Sequence, residues 1–189
     1  MDNEQIIEET HSSSSPDERL SVVDKLRMLL DITKTISRTM DTQEVLTFVM
    51  DTLGSLIPYD AAGIYLIEMN DDEKNPYIFK SKVIRGYRLS FEQIEPSLKL
   101  GEGFIGSVAL TGRTIISPDV SKDERYFPAR KRTNSEMVAP IISNDKVIGV
   151  FDLESDQLDA YSQDDLSMLQ LLATQVAIII EKSRLYEEL

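Results

Sequence analysis

Two runs of apolar residues, separated by the polar break Ser143-Asn144-Asp145, form the clearest pattern in the chain. β-branched residues on both sides of turn-forming residues predict a β-hairpin, with strands at about residues 136–142 and 146–155. Both faces of the second strand are largely apolar, which predicts a central strand covered on both sides. Near its end, however, Asp152 and Glu154 share one face, and acids on a covered face need a partner or a solvated cavity.

The remaining pattern predicts helices around an antiparallel sheet. Apolar residues at helical spacing predict helices at about residues 18–38, 41–57 and 104–111, and a last helix from residue 162 to the chain end. Alternation predicts strands at about residues 60–69, 77–85 and 114–117, and short loops between neighbouring strands are typical of an antiparallel sheet. Residues 118–133 are predicted to form a long loop, a kind of segment that often carries function.

The predicted last helix is apolar on two sides. One side carries Leu166, Leu169, Ala173, Val176 and Ile180 and is expected to lie on the sheet. The other side carries Leu171, Ile178 and Leu185, which repeat every seven residues and would otherwise meet water. We therefore expect a homodimer through the N- and C-terminal helices, because a two-fold arrangement uses the same patch twice.

The composition excludes several classes of function. A net charge of −13 argues against a nucleic-acid partner. The chain has no cysteine, which excludes a thiol nucleophile and a thioether-linked chromophore, and its single histidine, His11, lies in the polar segment of residues 1–18. We therefore expect no metal or cofactor. Because no apolar run approaches membrane-spanning length, the expectation is a cytoplasmic protein with no membrane contact.

The segment from Gly101 to Gly106 matches the dinucleotide-binding pattern G-x-G-x-x-G. That fingerprint requires a parallel β-α-β unit and a longer helix. Here Gly112 stops the helix early and the surrounding strands are predicted to be antiparallel. The favoured interpretation is a tight turn into a short helix whose small residues pack closely on the sheet.

Several segments in this order resemble the GAF domain family: G-E-G-F-I-G-S-V-A, P-D-V-S-K-D-E-R-Y-F, S-E-M-V-A-P-I, V-I-G-V-F-D-L-E-S and S-R-L-Y-E-E-L. The resemblance implies an α+β, PAS-like fold for residues 19–189. The polar composition of residues 1–18 predicts a flexible leader before it. Such a fold has a six-stranded antiparallel sheet, terminal helices on one face, and short helices and loops over a pocket on the other. The family implies regulatory work on an attached or partner effector, such as a histidine kinase, a phosphatase or a cyclic-dinucleotide enzyme.

Within the family, the hairpin is most similar to free methionine-(R)-sulfoxide reductases, whose acids bind the amino group of the substrate. Glu136, Asp152 and Glu154 occupy the matching positions, but Ile105 stands where those enzymes carry a cysteine. The sequence therefore predicts a sensory, ligand-binding module that is not an enzyme. The alternatives are a ligand-free dimerisation module or a degenerate relative of the reductases. The motif of the cyclic-nucleotide-binding branch has no match, so the small-molecule ligand stays unidentified.

The predicted ligand-binding residues are drawn from several elements. They are Glu136, Asp152 and Glu154, with Tyr65, Phe104, Ile105, Asp119, Tyr126 and Phe127. Each has a simpler interpretation: solvent-exposed ion pairs for the acids, core packing for the apolar residues, loop packing for Tyr126 and Phe127, and capping for Asp119.

The register of the hairpin decides whether the three acids meet. A two-residue turn pairs Met137 with Asp152 and leaves Glu136 on the other face. A three-residue turn pairs Glu136 with Asp152 and brings the acids together, since a slip of one residue reverses the face. The match to the reductase branch favours the three-residue turn.

Overall fold

The computed structural model of the protein describes residue 27 and residues 42–71, 76–88, 91–94 and 98–187. The predicted leader and nearly all of the predicted helix at residues 18–38 lie outside these residues. The described elements are, in order, α1 (Thr42–Leu56), β1 (Ala61–Met69), β2 (Tyr77–Arg85), α2 (Phe91–Ile94), α3 (Gly103–Thr111), β3 (Ile115–Ser117), a 3₁₀ turn (Val120–Lys122), β4 (Ser135–Ser143), β5 (Lys146–Ser155) and α4 (Gln163–Glu187).

An antiparallel sheet forms the centre of the molecule. Within the described residues it has five strands in the order β2-β1-β5-β4-β3. β5 therefore lies in the middle, as the apolar character of both its faces predicts. The predicted α+β class is confirmed, with strand positions within a residue or so of those expected.

The helices α1 and α4 cover one face of this sheet. The apolar stripe of α1, with Leu46, Val49 and Leu53 at helical spacing, packs in one buried cluster with Phe151 and Leu153 of β5 and with residues of α4. α4 begins after Ser162. The Ser162 hydroxyl and backbone N–H both lie against the Asp165 carboxylate, and the Asp165 N–H donates to the Ser162 hydroxyl, which forms a capping box.

α4 has nearly the bounds predicted for the last helix, but the expectation about membrane-spanning length does not hold for it. Gln163–Leu185 has the length and composition to cross a membrane, so the expectation that no segment reaches that length is wrong. This is weak evidence for a membrane span, because a helix that packs on a protein core passes the same test. Leu169, Leu172 and Val176 of α4 are buried in the cluster shared with α1 and the sheet.

The short helix α3 packs on the opposite face, in a second buried cluster that contains Phe104, Val108 and Val150. It lies very close to the preceding loop: a β-carbon at Gly106 would approach the Lys99 carbonyl oxygen to 1.9 Å. The G-x-G-x-x-G segment thus forms a tight turn into a short helix on an antiparallel sheet. Its glycines permit close packing, in agreement with the favoured interpretation.

The hairpin between β4 and β5 differs in detail from the predicted one. Its turn has two central residues, Asn144 and Asp145, both with positive φ (48° and 60°), and Ser143 pairs with Lys146. The predicted three-residue turn is therefore wrong. A bulge follows, because Ile141 pairs with Gly149 whereas Ile142 pairs with Val147. The bulge turns Ile148 toward the helix-side cluster instead of the face that carries Val150.

Candidate functional site

A cavity of about 290 Å³ lies on the sheet face that α3 covers. Its floor is formed by β1, β4 and β5, and its walls by α3 and the segments before and after it. The lining residues are Tyr65, Tyr87, Ile94, Leu98, Lys99, Glu102, Gly103, Phe104, Ile105, Phe127, Ala129, Glu136, Asp152 and Glu154.

Three carboxyl groups lie together at the floor of this cavity. A two-residue turn alone would have placed Glu136 on the opposite sheet face from Asp152. The bulge shifts the register by one residue, so that Glu136 pairs directly with Glu154, and Asp152 lies on the same face as both. All three are buried, with 5%, 1% and 3% of their surface exposed for Glu136, Asp152 and Glu154. The predicted grouping of the acids is therefore present, although it arises from a bulge rather than from a longer turn.

Hydroxyl groups make the hydrogen bonds of these acids. The Tyr87 hydroxyl lies 2.8 Å from Asp152 Oδ2 and 2.5 Å from Glu154 Oε1. The Thr133 hydroxyl donates to Glu154 Oε2. Asp152 Oδ1 is buried and has no donor among the described residues. Within the described part of the chain, no lysine or arginine forms an ion pair with any of the three acids.

This environment raises the pKa values of all three carboxyl groups. Burial is the largest cause at each, since it penalises the charged form. Repulsion from Glu154 adds to the effect at Asp152, and the pKa of Asp152 rises to about 8. Repulsion from Asp152 and Glu154 acts likewise on the pKa of Glu136. The hydrogen bonds from Thr133 and Tyr87 partly oppose the rise in the pKa of Glu154.

The walls of the cavity are mostly apolar. Tyr65 is fully buried, and its ring lies over Gly63, where a β-carbon would come within 2.5 Å of the ring. Phe104 and Ile105 come from the first turn of α3, and Arg125 lies over the Phe104 ring at 5.4 Å. A flat aromatic and aliphatic wall beside an acidic floor suits a ligand with one cationic end and one apolar end.

The predicted loop residues divide between the cavity and its surroundings. Phe127 lines the cavity, but Tyr126 does not line it: its ring contacts Phe104 at 5.9 Å and its hydroxyl donates to the Arg130 carbonyl oxygen. Asp119 lies elsewhere, in a separate groove, where it caps the 3₁₀ turn through Ser121 and pairs with Lys122. Its placement follows the capping interpretation.

Sequence reasoning missed Tyr87, Thr133 and Lys99. Tyr87 follows Gly86, whose φ of 73° turns the chain at the end of β2, and no periodicity announces the direction of a side chain in such a turn. Lys99 lies at the rim of the cavity and pairs with Glu102 at 3.7 Å. Arg130 lies near the acids but pairs with Asp156 instead. Within the described residues, no group of three His, Cys, Asp or Glu side chains is arranged to hold a metal ion.

Comparisons with known proteins place this site in context. The chain is 38% identical over 77 residues to the free methionine-R-sulfoxide reductase of Saccharomyces cerevisiae, a match that covers 40% of this chain and 43% of that protein. The matched segment thus spans less than half of this curated relative. The fold is similar to the free methionine-R-sulfoxide reductase of Neisseria meningitidis in complex with its substrate, with a TM-score of 0.75, 21% identity, and coverage of 92% and 96% of the two chains.

A similar fold also occurs in the GAF domain of an Acinetobacter phosphoenolpyruvate-protein phosphotransferase. The TM-score is 0.71 and the identity 24%, over 87% of this chain and 96% of that one. At such identities the two structural likenesses establish the fold alone.

These similarities correct one prediction. The expectation that the chain is not an enzyme is wrong as drawn, because the proteins that it resembles include enzymes in both sequence and structure comparisons. The missing cysteine removes a thiol of this chain as the reacting group, and it has no bearing on catalysis by other groups.

The family itself follows from a match over most of the chain. The family model described as GAF domain matches residues 39–181, which include every described strand and most of α4. The sheet order, the helices α1 and α4 on one face and the cavity on the other agree with that match. The chain belongs to the GAF domain family.

Proposed function

We propose that this chain is a regulatory module whose cavity binds a small molecule with a primary ammonium group. The observation that carries the proposal is the burial of Glu136, Asp152 and Glu154 around one cavity without an ion pair among the described residues. Two glutamates directly opposite each other on neighbouring strands repel. A cation between them removes the repulsion and supplies donors.

An ammonium group fits the acidic floor better than other cations. An ammonium group carries three N–H donors, and three carboxyl groups lie at the floor of the cavity to accept them. One of these donors can meet Asp152 Oδ1, the buried oxygen that has no donor among the described residues. Charge-assisted hydrogen bonds of this kind are roughly twice as strong as neutral ones.

The size and the charge of the cavity limit the rest of the ligand. A volume of about 290 Å³ lies at the lower end of the range of ligand sites, which suits a molecule the size of an amino acid. Buried carboxylates repel phosphate, which argues against a nucleotide. Phe104 and Ile105 provide an apolar wall for an unbranched side chain.

Free methionine-R-sulfoxide is the natural first probe. It is an amino acid of suitable size, and the curated relative is named for it. Isothermal titration calorimetry of the whole chain would compare L-methionine-R-sulfoxide with its N-acetyl derivative, which has the same side chain and no positive charge. We expect binding of the amine alone.

Matched variants make this test specific. Glu154→Gln should weaken binding by about 10- to 100-fold, the loss of one hydrogen bond to a charged group. Asp71→Asn, an exposed carboxyl in the turn after β1, should leave the affinity unchanged. Consumption of the sulfoxide in the same samples would reveal turnover. Equal binding of the N-acetyl compound, or no binding of any amine in a panel of amino acids, would overturn the proposed ligand class.

The output surface proposed is the exposed side of α4. Leu171, Ile178 and Leu185 are 51%, 54% and 61% exposed and repeat every seven residues. β4 connects this helix to the cavity, because Glu136 faces the cavity while the neighbouring Met137 is buried in the cluster shared with α4. A ligand that moves β4 would therefore reach α4 through one strand.

We infer a homodimer through this stripe, which would pass the signal to an attached or partner effector in the cytoplasm. Sedimentation at micromolar concentrations should show a dimer that Ile178→Glu weakens, because a charge would enter an apolar seam. Gln170→Glu, at an exposed position of the same helix about 100° round the helix axis from Leu171, is the control. A monomeric wild type would contradict the dimer, and a dimer that binds no ligand would favour the alternative of a ligand-free dimerisation module.

A further inference from the structure

The Tyr87 hydroxyl has one proton but two acceptors. It lies within hydrogen-bonding distance of Asp152 Oδ2 and of Glu154 Oε1. If both carboxyl groups are ionised, one of the two contacts joins oxygen lone pairs without a proton between them. Burial makes such an unsatisfied contact expensive, since water cannot replace the missing donor.

Glu136 and Asp152 are both buried at the same cavity, and no hydroxyl group among the described residues joins them. Repulsion from Asp152 raises the pKa of Glu136, so the pair favours a state in which one of the two carries a proton. A hydrogen bond between two carboxyl groups exists only when one of them carries a proton. Thr133 cannot supply that proton, because its single hydroxyl already donates to Glu154. Without a cation, the cluster therefore needs at least one proton that its hydroxyl groups do not provide.

Charged and titratable groups around the cluster do not remove this need. The positive charge of Arg130 lowers the pKa of Glu154, but the Arg130 guanidinium is paired with Asp156. Lys99 lies at the rim and pairs with Glu102. Other titratable groups that interact with the acids are Tyr65 of β1, Tyr126 of the loop before β4, Tyr161 before α4, and Asp156 after β5.

We propose that Tyr87, Glu136, Asp152 and Glu154 form a subsite that exchanges a bound proton for the positive charge of its ligand. This inference rests on the proposed function, since it assumes that an ammonium group enters the cavity. Glu136, Asp152 and Glu154 share the proton when no cation is present. Tyr87 is a specificity-determining residue. Its hydroxyl has one proton for two carboxyl oxygens, so one of these oxygens lacks a donor, and an ammonium group can supply that donor.

The exchange balances in charge and protons. An R–NH₃⁺ group enters the cluster, a carboxyl group becomes a carboxylate, and its proton leaves to solvent. The ammonium N–H groups then make the hydrogen bonds that the carboxyl proton made. Release of one proton per ligand makes the affinity rise about tenfold per pH unit below the pKa of the group that loses it. The raised pKa of Asp152 places this dependence in the neutral range.

The proton can be observed without any ligand. Infrared spectroscopy of the whole chain at pH 7 should show the band of a protonated buried carboxyl group. This band should decrease in Glu136→Gln and in Asp152→Asn and persist in Asp71→Asn. Both cavity variants are close in shape to the native residue, and urea unfolding would verify that they fold.

The exchange is measured with L-methionine-R-sulfoxide as the probe. Calorimetry in phosphate and in Tris at pH 7 gives the number of protons released from the difference in heat between the buffers. We expect about one proton per probe for the wild type. Tyr87→Phe should shift the pH profile of affinity to higher pH, because its hydroxyl lowers the pKa values of Asp152 and Glu154. A residue that merely packs would leave the profile unmoved.

The outcomes separate this inference from the proposed function. Binding without proton release, or wild-type protein without a protonated carboxyl band at pH 7, overturns the exchange and leaves the ligand class intact. Failure of the probe and of every other tested amine to bind overturns the exchange and the ligand class together. Binding with proton release and a shifted profile in Tyr87→Phe supports both.

Discussion

Replacing Asp152 with asparagine should make the protein more stable at neutral pH and less sensitive to pH. Asp152 is 1% exposed, and its pKa is raised to about 8 by burial and then by the neighbouring Glu154. When a carboxyl group has a higher pKa in the folded than in the unfolded protein, its contribution to the free energy of unfolding is fully present below the unfolded pKa. This contribution is lost as the pH rises to the folded pKa and through it. Asparagine is close in shape, uncharged at every pH, and supplies the N–H donors that the cluster lacks.

The magnitude follows from the two pKa values. An unfolded aspartate has a pKa of about 3.9, and each pKa unit corresponds to about 1.36 kcal/mol. At pH 7 the penalty for Asp152 is therefore up to about 4 kcal/mol, and at pH 5 it is about 1.5 kcal/mol. Part of this is shared with Glu136 and Glu154, so we expect a gain of about 1–4 kcal/mol at pH 7.

Urea unfolding followed by circular dichroism at pH 5, 6, 7 and 8 would test this reasoning. The difference in free energy of unfolding between Asp152→Asn and wild type should grow steadily with pH. Asp71→Asn, an exposed carboxyl, should run parallel to wild type. Parallel curves for Asp152→Asn and wild type, or a variant that is less stable at pH 8, would refute the account of the buried acids.

Three further predictions concern packing and the hairpin. Gly106→Ala should lower the free energy of unfolding by about 2 kcal/mol or more in a urea titration, because its β-carbon would lie 1.9 Å from the Lys99 carbonyl oxygen. Gly54→Ala is the control, since its β-carbon would lie 3.3 Å from its nearest contact, the side chain of Tyr59. Tyr161→Phe should raise stability by about 1 kcal/mol, since its buried hydroxyl has no partner among the described residues, and a loss of stability would mean that the hydroxyl is bonded. Asp145→Gly should stabilise the fold by about 0.5–1 kcal/mol and raise the thermal midpoint, because φ of Asp145 is 60°, a value that glycine adopts more easily than other residues. An unchanged or lower midpoint would contradict that argument.

Local patterns in the sequence are sufficient for the elements. Apolar runs on both sides of turn-forming residues located β4 and β5, and the helical spacing located α1 and α4. Each of these depends on residues close in the chain, whose preferences add up over one turn of helix or one strand. The shared face of Asp152 and Glu154 is likewise a property of one strand.

The site depended on contacts that no local pattern contains. The turn alone would have placed Glu136 on the other face from Asp152, and the bulge at Ile148 reversed that result. Whether a bulge forms depends on packing on both faces of the sheet, so the hairpin sequence alone did not determine the strand register. Tyr87 reaches Asp152 across 65 positions of the chain, from a turn whose direction is set by the end of β2. The sequence by itself determined the strands, the helices and the family resemblance, whereas the tertiary structure decided which acids meet and which hydroxyl groups contact them.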